Sequence, residues 1–359
     1  MAGRRVLVTG ISDELAGLLT GALEQRDEVD YLVGVDVREP RHDLRRTEFV
    51  RADVRNPLVA QVITAADIDT VVHLAVVPAP GRVGGRARMK EQNVIGTMQL
   101  LGACQKAGAL RKVVLKSSTA VYGSDYADPA LLTEDATPRL APQDGFAKDI
   151  TEVEGYARTF GRRRNDVTVT ILRFADFLGG SVESLFSRYF ALSVVPTMLG
   201  FDPRLQFCHS DDAVAVLVAS TLEDHPGIFN VSGPGVLYLS QALRIAGRVA
   251  MPIPKPLVNF TGSLLRRGGR LEFSSEQLNF LQFGRAGDIT RLREVFGYEP
   301  RYSTRQAVVD YAARRRIRKL AEPDEHGEWQ QELYDYIQRK GKEPARGERN
   351  SRGATEDKR

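Results

Sequence analysis

The run Val6-Leu7-Val8-Thr9-Gly10 constrains this chain more than any other stretch. It is a short, apolar, β-branched strand candidate closed by glycine. Behind it, Leu15, Leu18, Leu19, Ala22 and Leu23 recur at the spacing of one helical face. The pattern then repeats. Tyr31–Val35 reads as a buried strand ending at Asp36, and Thr70–Leu74 and Lys112–Leu115 follow, with a helical stretch Met89–Lys106 between them. Val167–Leu172 is a further strand, after an amphipathic helix that begins near Gly145. Strands that are apolar throughout need cover on both faces, and strands alternating with helices supply it. The expected class is α/β, with a doubly wound parallel sheet.

A Rossmann-type sheet of this kind binds a dinucleotide at a tight strand-to-helix turn, where backbone amides and the helix N-terminus meet the pyrophosphate. Here that turn is Thr9-Gly10-Ile11-Ser12-Asp13-Glu14-Leu15-Ala16-Gly17. Measured against T-G-x-x-G-x-x-G, Gly10 stands in place, Asp13 replaces the second glycine, and the small Ala16 replaces the third. Gly10, Ile11 and Ser12 are the candidate cofactor contacts. A carboxylate at Asp13 opposes phosphate charge by on the order of 1 kcal/mol per close contact in a partly solvated site. Ser12 or Asp13 equally suits a helix N-cap, with the side chain turned outward. Asp36 closes the second strand, 26 residues after Gly10, where an acid accepts hydrogen bonds from the adenosine ribose hydroxyls. That choice favours NAD over NADP, although Arg38 beside it weakens the preference. Asp36 also suits a turn before Pro40.

From about Asp176 the alternation loosens, with proline-rich joints such as Met251-Pro252-Ile253-Pro254-Lys255-Pro256. The expected organisation is an NAD(P)-binding domain over 1–175, to which later strands such as Ile228–Val231 return, and a smaller C-terminal substrate lobe with interleaved elements over 176–320. The net charge of +4 resides in residues 339–359, so the rest of the chain sums to zero. Apolar residues nearly vanish in that basic tail, and disorder is expected there. A nucleic-acid partner needs basic residues clustered on the fold, so none is expected. The run Arg314–Lys319, followed by acids from Glu322, reads as a solvated helix end.

Cys104 and Cys208 form no Cys-x-x-Cys pair, and a chain of 359 residues buries enough core to need no disulfide framework. The apolar run Val71–Val77 contains His73 and stops at Pro78, so no membrane span is expected. Arg4-Arg5 leads directly into a strand, with no leader-like apolar segment. A reducing cytoplasm is the expected compartment. His73 and His209 have no metal partner at useful spacing and read as core or turn residues, so no metal site is expected.

Taken in order, these pieces resemble the extended short-chain dehydrogenase/reductase family, in particular the NAD-dependent epimerases and dehydratases of sugar nucleotides that are similar to UDP-galactose 4-epimerase. The likeness runs from about Arg4 to Arg314. It rests on V-L-V-T-G, Asp36, Arg51-Ala52-Asp53-Val54-Arg55, Val72-His73-Leu74-Ala75 and Asn93-Val94-Ile95-Gly96-Thr97. It continues through Ser118-Thr119-Ala120-Val121-Tyr122-Gly123, Ile171-Leu172-Arg173, Phe207–Asp212, Phe229-Asn230-Val231 and Phe296–Pro300. The resemblance implies that Asp53 contacts adenine with Val54 beside it, that Ala75 passes close to the cofactor, and that Asn93 supports the site through the adjacent helix. It implies that Ser118 hydrogen-bonds a substrate oxygen and that Lys148 holds the nicotinamide ribose. It also implies a nucleotide-sugar substrate and a homodimer.

The family's Tyr-x-x-x-Lys pair meets Asp144-Gly145-Phe146-Ala147-Lys148 here. Tyrosine suits the base because a nearby lysine and the cationic nicotinamide lower its pKa from about 10 toward working pH. An aspartate starts near ~3.9, the same lysine pushes it lower, and its side chain is far shorter. Asp144 is therefore a doubtful catalytic group and reads better as the N-cap of the helix that follows. Tyr122, Tyr126 and Tyr156 are near in sequence, but none has the four-residue spacing to Lys148 that puts two side chains on one helix face. Asp176 stands where the family usually delivers an asparagine, and an anion there is a poor neighbour for a nucleotide diphosphate. Asp13, Asp144 and Asp176 thus insert three acids at positions meant for phosphate, proton and substrate. The expected function is an NAD-binding protein of epimerase/dehydratase type whose hydride transfer is non-standard or lost. The alternative is a non-catalytic NAD(P)-binding sensor or scaffold.

Overall fold

The computed structural model describes residues 3–139, 142, 145–254 and 275–321. Asp144, as N-cap or catalytic group, lies outside these residues, as do the tail 339–359 and the end of the proline-rich joint. Contacts divide the chain into Met1–Ala312 and Ala313–Arg359, and the fold and site belong to the first unit.

Seven strands form one parallel sheet: β1 (Arg4–Thr9), β2 (Val29–Asp36), β3 (Thr47–Arg51), β4 (Thr70–His73), β5 (Lys112–Ser118), β6 (Thr168–Phe174) and, after four short strands, β11 (Gly227–Val231). Their order is β11-β6-β5-β4-β1-β2-β3, and every neighbouring pair is parallel. Consecutive side chains of a strand point to opposite faces, so each face collects alternate residues. Leu7, Val71, Val113 and Ile171 enter one core, with Val59 and Ile63 of α2 (Leu58–Ala65), Leu100 and Cys104 of α4 (Gly96–Lys106) and Val153 and Phe160 of α5 (Gly145–Arg163). Their neighbours Val6, Val8, Val72, Val114 and Leu172 enter the other, with Leu15 and Leu19 of α1 (Glu14–Leu23) and Val216 and Leu217 of α7 (Ser210–Leu222). Each such side chain contributes about 1.5–3 kcal/mol by leaving water. This double cover explains why the strands read as unbroken apolar runs.

Residues after β6 build a third core. The four short strands β7 (Asp176–Phe177), β8 (Val194–Met198), β9 (Arg204–Leu205) and β10 (Phe207–Cys208) pair outside the main sheet, with β12 (Leu237–Tyr238) and β13 (Val249–Ile253) as further partners. Helices α6 (Leu185–Tyr189), α8 (Leu239–Ile245), α9 (Ser275–Phe283), α10 (Thr290–Glu294) and α11 (Thr304–Ala321) complete the described elements. At the centre of this core, Phe186 meets Tyr189, Phe190, Phe207 and Phe280 edge-on at ring distances of 5.3–5.9 Å.

Two features depart from the sequence expectations. The stretch Met89–Lys106 is not one uniform helix: a π-helical turn, Glu91–Ile95, separates α3 (Arg86–Lys90) from α4. Asn93 sits in that turn, and its amide bonds both the N–H and the carbonyl of Val77 at 2.8 and 2.9 Å. Strand β3 is the second departure, an edge strand whose Thr-Glu-Phe-Val-Arg sequence carries no continuous apolar run.

Candidate active site

The site forms at the C-terminal edge of the sheet, where β1 and β4 lie side by side and the strand order reverses. Gly10 turns the chain there with φ of +76°, and a Cβ on it would stand 2.8 Å from the Cα and N of Ala75. Only glycine combines that dihedral with so close an approach. Ile11 is fully buried and packs onto Gly34, so its side chain is a core plug. Ser12 donates from its N–H and hydroxyl to one oxygen of Asp36 at 3.1 and 2.7 Å, and the N–H of Arg38 donates to the other at 3.1 Å. The turn after β1 is thereby tied to the end of β2.

Asp13 caps α1, its carboxylate accepting from the N–H of Leu15 at 3.4 Å, and its other oxygen lies 3.0 Å from the Arg82 guanidinium. Burial opposes its charge, but Lys116 and Arg82 outweigh that and hold the carboxyl below the ordinary range. One turn further out, Asp53 is clasped by Arg55, which also reaches Glu91. The hydrogen bonds from Arg55 hold the Asp53 carboxyl below its usual value, against the effect of burial. Val54 beside it packs against Gly96 at the start of α4. His73, fully buried at the end of β4, bridges Thr9 and Thr97 at 2.7 and 2.8 Å. Burial drives its pKa down to about 3, so it is a neutral linker within the sheet edge.

A cavity of about 610 Å³ opens beside this turn, over the C-terminal ends of β5 and β6. Lys116 and Ser118 line it from β5. Ser118 accepts from the N–H of Ala120 at 3.1 Å, which leaves its own hydroxyl hydrogen available to an acceptor in the cavity. Between them, Ser117 donates to Glu154 of α5 at 2.5 Å. Glu154 is in turn held by Arg173 through two bonds of 2.7–2.8 Å, and Arg173 reaches Tyr122, which donates to Asn230. This buried network fixes β5, α5, β6 and β11 behind the cavity. Gly145 and Phe146 line the cavity from α5. Arg86 pins that first turn, bonding Asp149 at 2.7 and 2.8 Å and the carbonyl of Gly145 at 3.0 Å.

The far wall comes from residues after β6. Asp176 is raised by burial and lowered by Arg285, with a net upward shift. The two are 4.0 Å apart, and Arg285 also lies over the Phe280 ring and donates to the Thr119 hydroxyl and the Gly123 carbonyl.

Of the residues expected from sequence, Ser118, Asp13 and Asp176 meet in the cavity, while Gly10, Ser12, Asp36 and Ala75 gather at its edge. Asn93 braces the loop after β4, and Asp53 with Val54 lies beyond β2. Lys148 is half-buried on α5 and is not among the lining residues. Among the described residues, no tyrosine lines the cavity: Tyr122 is buried in the network, and Tyr126 and Tyr156 are exposed. Sequence reasoning missed Lys116, Arg82, Arg86 and Arg285. Lys116 alone had a local signal, a charge ending the apolar run Val113-Val114-Leu115.

A seven-stranded parallel sheet with its glycine turn at the switch point defines a Rossmann-type doubly wound fold. The family described as NAD dependent epimerase/dehydratase matches residues 6–232, and the chain belongs to it. An uncharacterized protein of Mycobacterium tuberculosis is 43% identical over 340 residues, covering 94% of this chain and 90% of that protein. Another, of Sinorhizobium fredii, is 26% identical over 327 residues, covering 86% and 77%. Among solved structures, UDP-glucose 4-epimerase of Thermotoga maritima with UDP-glucose superposes with a TM-score of 0.68 at 19% identity, covering 89% of this chain and all of that one. UDP-glucuronic acid 4-epimerase of Bacillus cereus, in complex with UDP-glucuronic acid and NAD, gives 0.66 at 21% identity, covering 86% and 99%.

Proposed function

We propose that this protein binds NAD in preference to NADP and accommodates a nucleotide sugar or related polyol in the cavity, without the proton transfer typical of its family. The observation that carries the reading is the cradle at Gly10, where the absence of a Cβ keeps the turn after β1 against Ala75 and beside Asp36. Gly10, Ile11 and Ser12 would hold the dinucleotide through the turn's backbone, Asp36 through the ribose hydroxyls, and Asp53 with Val54 and Ala75 around the adenosine half. Before a ligand binds, the charge of Asp13 in this turn is countered by Arg82. Asn93 supports these from the adjacent helix, and the resemblance gives Lys148 the nicotinamide ribose.

When bound, the dinucleotide supplies a hydride acceptor. Ser118 is oriented by Ala120 to donate a hydrogen bond to a substrate oxygen. The wall formed by Asp176, Phe280 and Arg285 supports reading 176–320 as a substrate lobe. The proton has no good acceptor among the expected groups: Asp144 is a weak base, and no tyrosine is present in the described lining. That last observation favours a second reading, in which the protein binds the dinucleotide as a sensor or scaffold without turnover.

Fluorescence titration of the purified protein with NADH and NADPH tests the cofactor, and absorbance at the reduced-nicotinamide band after adding UDP-sugars to the NAD-loaded protein tests the chemistry. We expect NADH to bind more tightly than NADPH and UDP-sugars to leave NAD unreduced or only slowly reduced. No binding of either dinucleotide up to millimolar concentration would overturn the cofactor assignment. Rapid reduction that survives Asp144→Ala would place the base elsewhere in the cavity.

A further inference from the structure

Lys116 has no role in the scheme above. It enters the cavity from β5 two residues before Ser118, on the same strand face, and its ammonium forms no hydrogen bond among the described residues. The residue is half-buried, and its ammonium faces the cavity with no protein acceptor among those residues. Burial and Arg82 push its pKa down, and Asp13 alone pulls it up. Asp13 is itself shared. Arg82, on the short turn Pro80–Arg82, reaches Asp13 at 3.0 Å and the Glu183 carbonyl at 3.3 Å, so it straps the start of α1 to the far wall. With Arg86, Arg188 and Arg285 also lining the cavity against Asp176 and Glu183, its cations outnumber its carboxylates.

Asp13, Arg82 and Lys116 thus line one cavity in which cations outnumber carboxylates, and Asp13 is paired with Arg82 while Lys116 has no ion pair among the described residues. We propose that Lys116 and Arg82 form an anion-binding pair for a pyrophosphate-bearing ligand, and that Asp13 is an intramolecular competitor occupying that place until the ligand displaces it. The pyrophosphate belongs to a dinucleotide or to a nucleotide sugar; the first source rests on the cofactor assignment made above. Displacement frees Arg82 from Asp13 and gives Lys116 the acceptor it lacks. Asp13 keeps its bond to the N–H of Leu15 as a helix cap, so the turn survives the exchange.

The test is calorimetric titration of NADH, UDP-glucose and inorganic pyrophosphate into the full chain, as wild type, Asp13→Asn, and Asp13→Asn combined with Lys116→Met. Asparagine still caps the helix, so the first variant removes charge without removing the cap. We expect Asp13→Asn to tighten at least one probe roughly tenfold and Lys116→Met to reverse most of that gain. If Lys116→Met fails to fold by circular dichroism, Arg82→Gln in the Asp13→Asn background takes its place with the same expectation. A Lys116-dependent gain for NADH alone identifies the dinucleotide, and one for UDP-glucose alone identifies the nucleotide sugar. A gain for pyrophosphate with no NADH binding supports the anion pair while removing the dinucleotide assignment. Binding of every probe that stays within twofold across all variants overturns the anion pair, and where NADH is among the probes bound it leaves the dinucleotide assignment standing. Absence of binding by every probe overturns both.

Discussion

Gly10 shows how much one residue settles. Its φ of +76° costs an ordinary L-residue roughly 1–2 kcal/mol, and a Cβ would stand 2.8 Å from the backbone of Ala75. Gly10→Ala should lower the free energy of unfolding by about 2 kcal/mol or more, read as a reduced urea midpoint at unchanged slope. An unchanged midpoint would mean that the turn relaxes away from β4 at little cost. The glycine was legible because a tight strand-to-helix turn admits no alternative. Asp13 was only half legible: its position shows that a carboxylate enters the turn, but the cations that meet it come from Arg82 and Lys116, 69 and 103 residues further along the chain. No local pattern announces such a meeting.

At the scale of elements, sheet order and edges depend on tethers that periodicity does not reveal. Strand β3 lacks an apolar run, and its position is set largely by Glu24 at the end of α1. One carboxylate oxygen of Glu24 accepts from the N–H groups of Arg45, Arg46 and Thr47 and from the Thr47 hydroxyl, at 2.6–3.1 Å. Burial works against its charge, but these donors prevail and its pKa lies below the ordinary glutamate value. The folded pKa is thus lower than the unfolded one of about 4.3. The resulting stabilisation is complete above about pH 4.3 and is lost as pH falls through the folded value. Glu24→Gln should cost about 1–2 kcal/mol at neutral pH and should flatten the acid limb of the stability profile, leaving the difference from wild type smallest at low pH. A constant difference across the acid range would show that Glu24 acts through packing alone. The same reasoning covers the π-turn at Asn93. Its helical neighbours are periodic in sequence, but the widened turn follows from a bond to Val77 across a loop.

For the whole molecule, the parallel sheet was legible because two faces must be covered by apolar residues, whereas the cavity was not, because its walls are drawn from six separate stretches. Residues within 13–15, 76–89, 116–120, 145–146, 174–188 and 277–285 contribute to one space. Arg82, from the second, and the Glu14–Glu183 bond join the first of these to the fifth. A ligand that spans these stretches stabilises them together, since it binds the folded chain and not the unfolded one. At a free concentration of 100 times its Kd, NADH should add about 2.7 kcal/mol to the free energy of unfolding. That gain corresponds to a rise in Tm of roughly 3–5 °C for a chain of this size. If the third core, built by residues after β6, depends on the parallel sheet, calorimetry should give one transition that moves as a whole. Two transitions, of which only the earlier or the later moves, would show that sheet and lobe unfold separately and that the dinucleotide touches only one. UDP-glucose then distinguishes the walls, because a ligand of the far wall should shift the transition that NADH leaves in place.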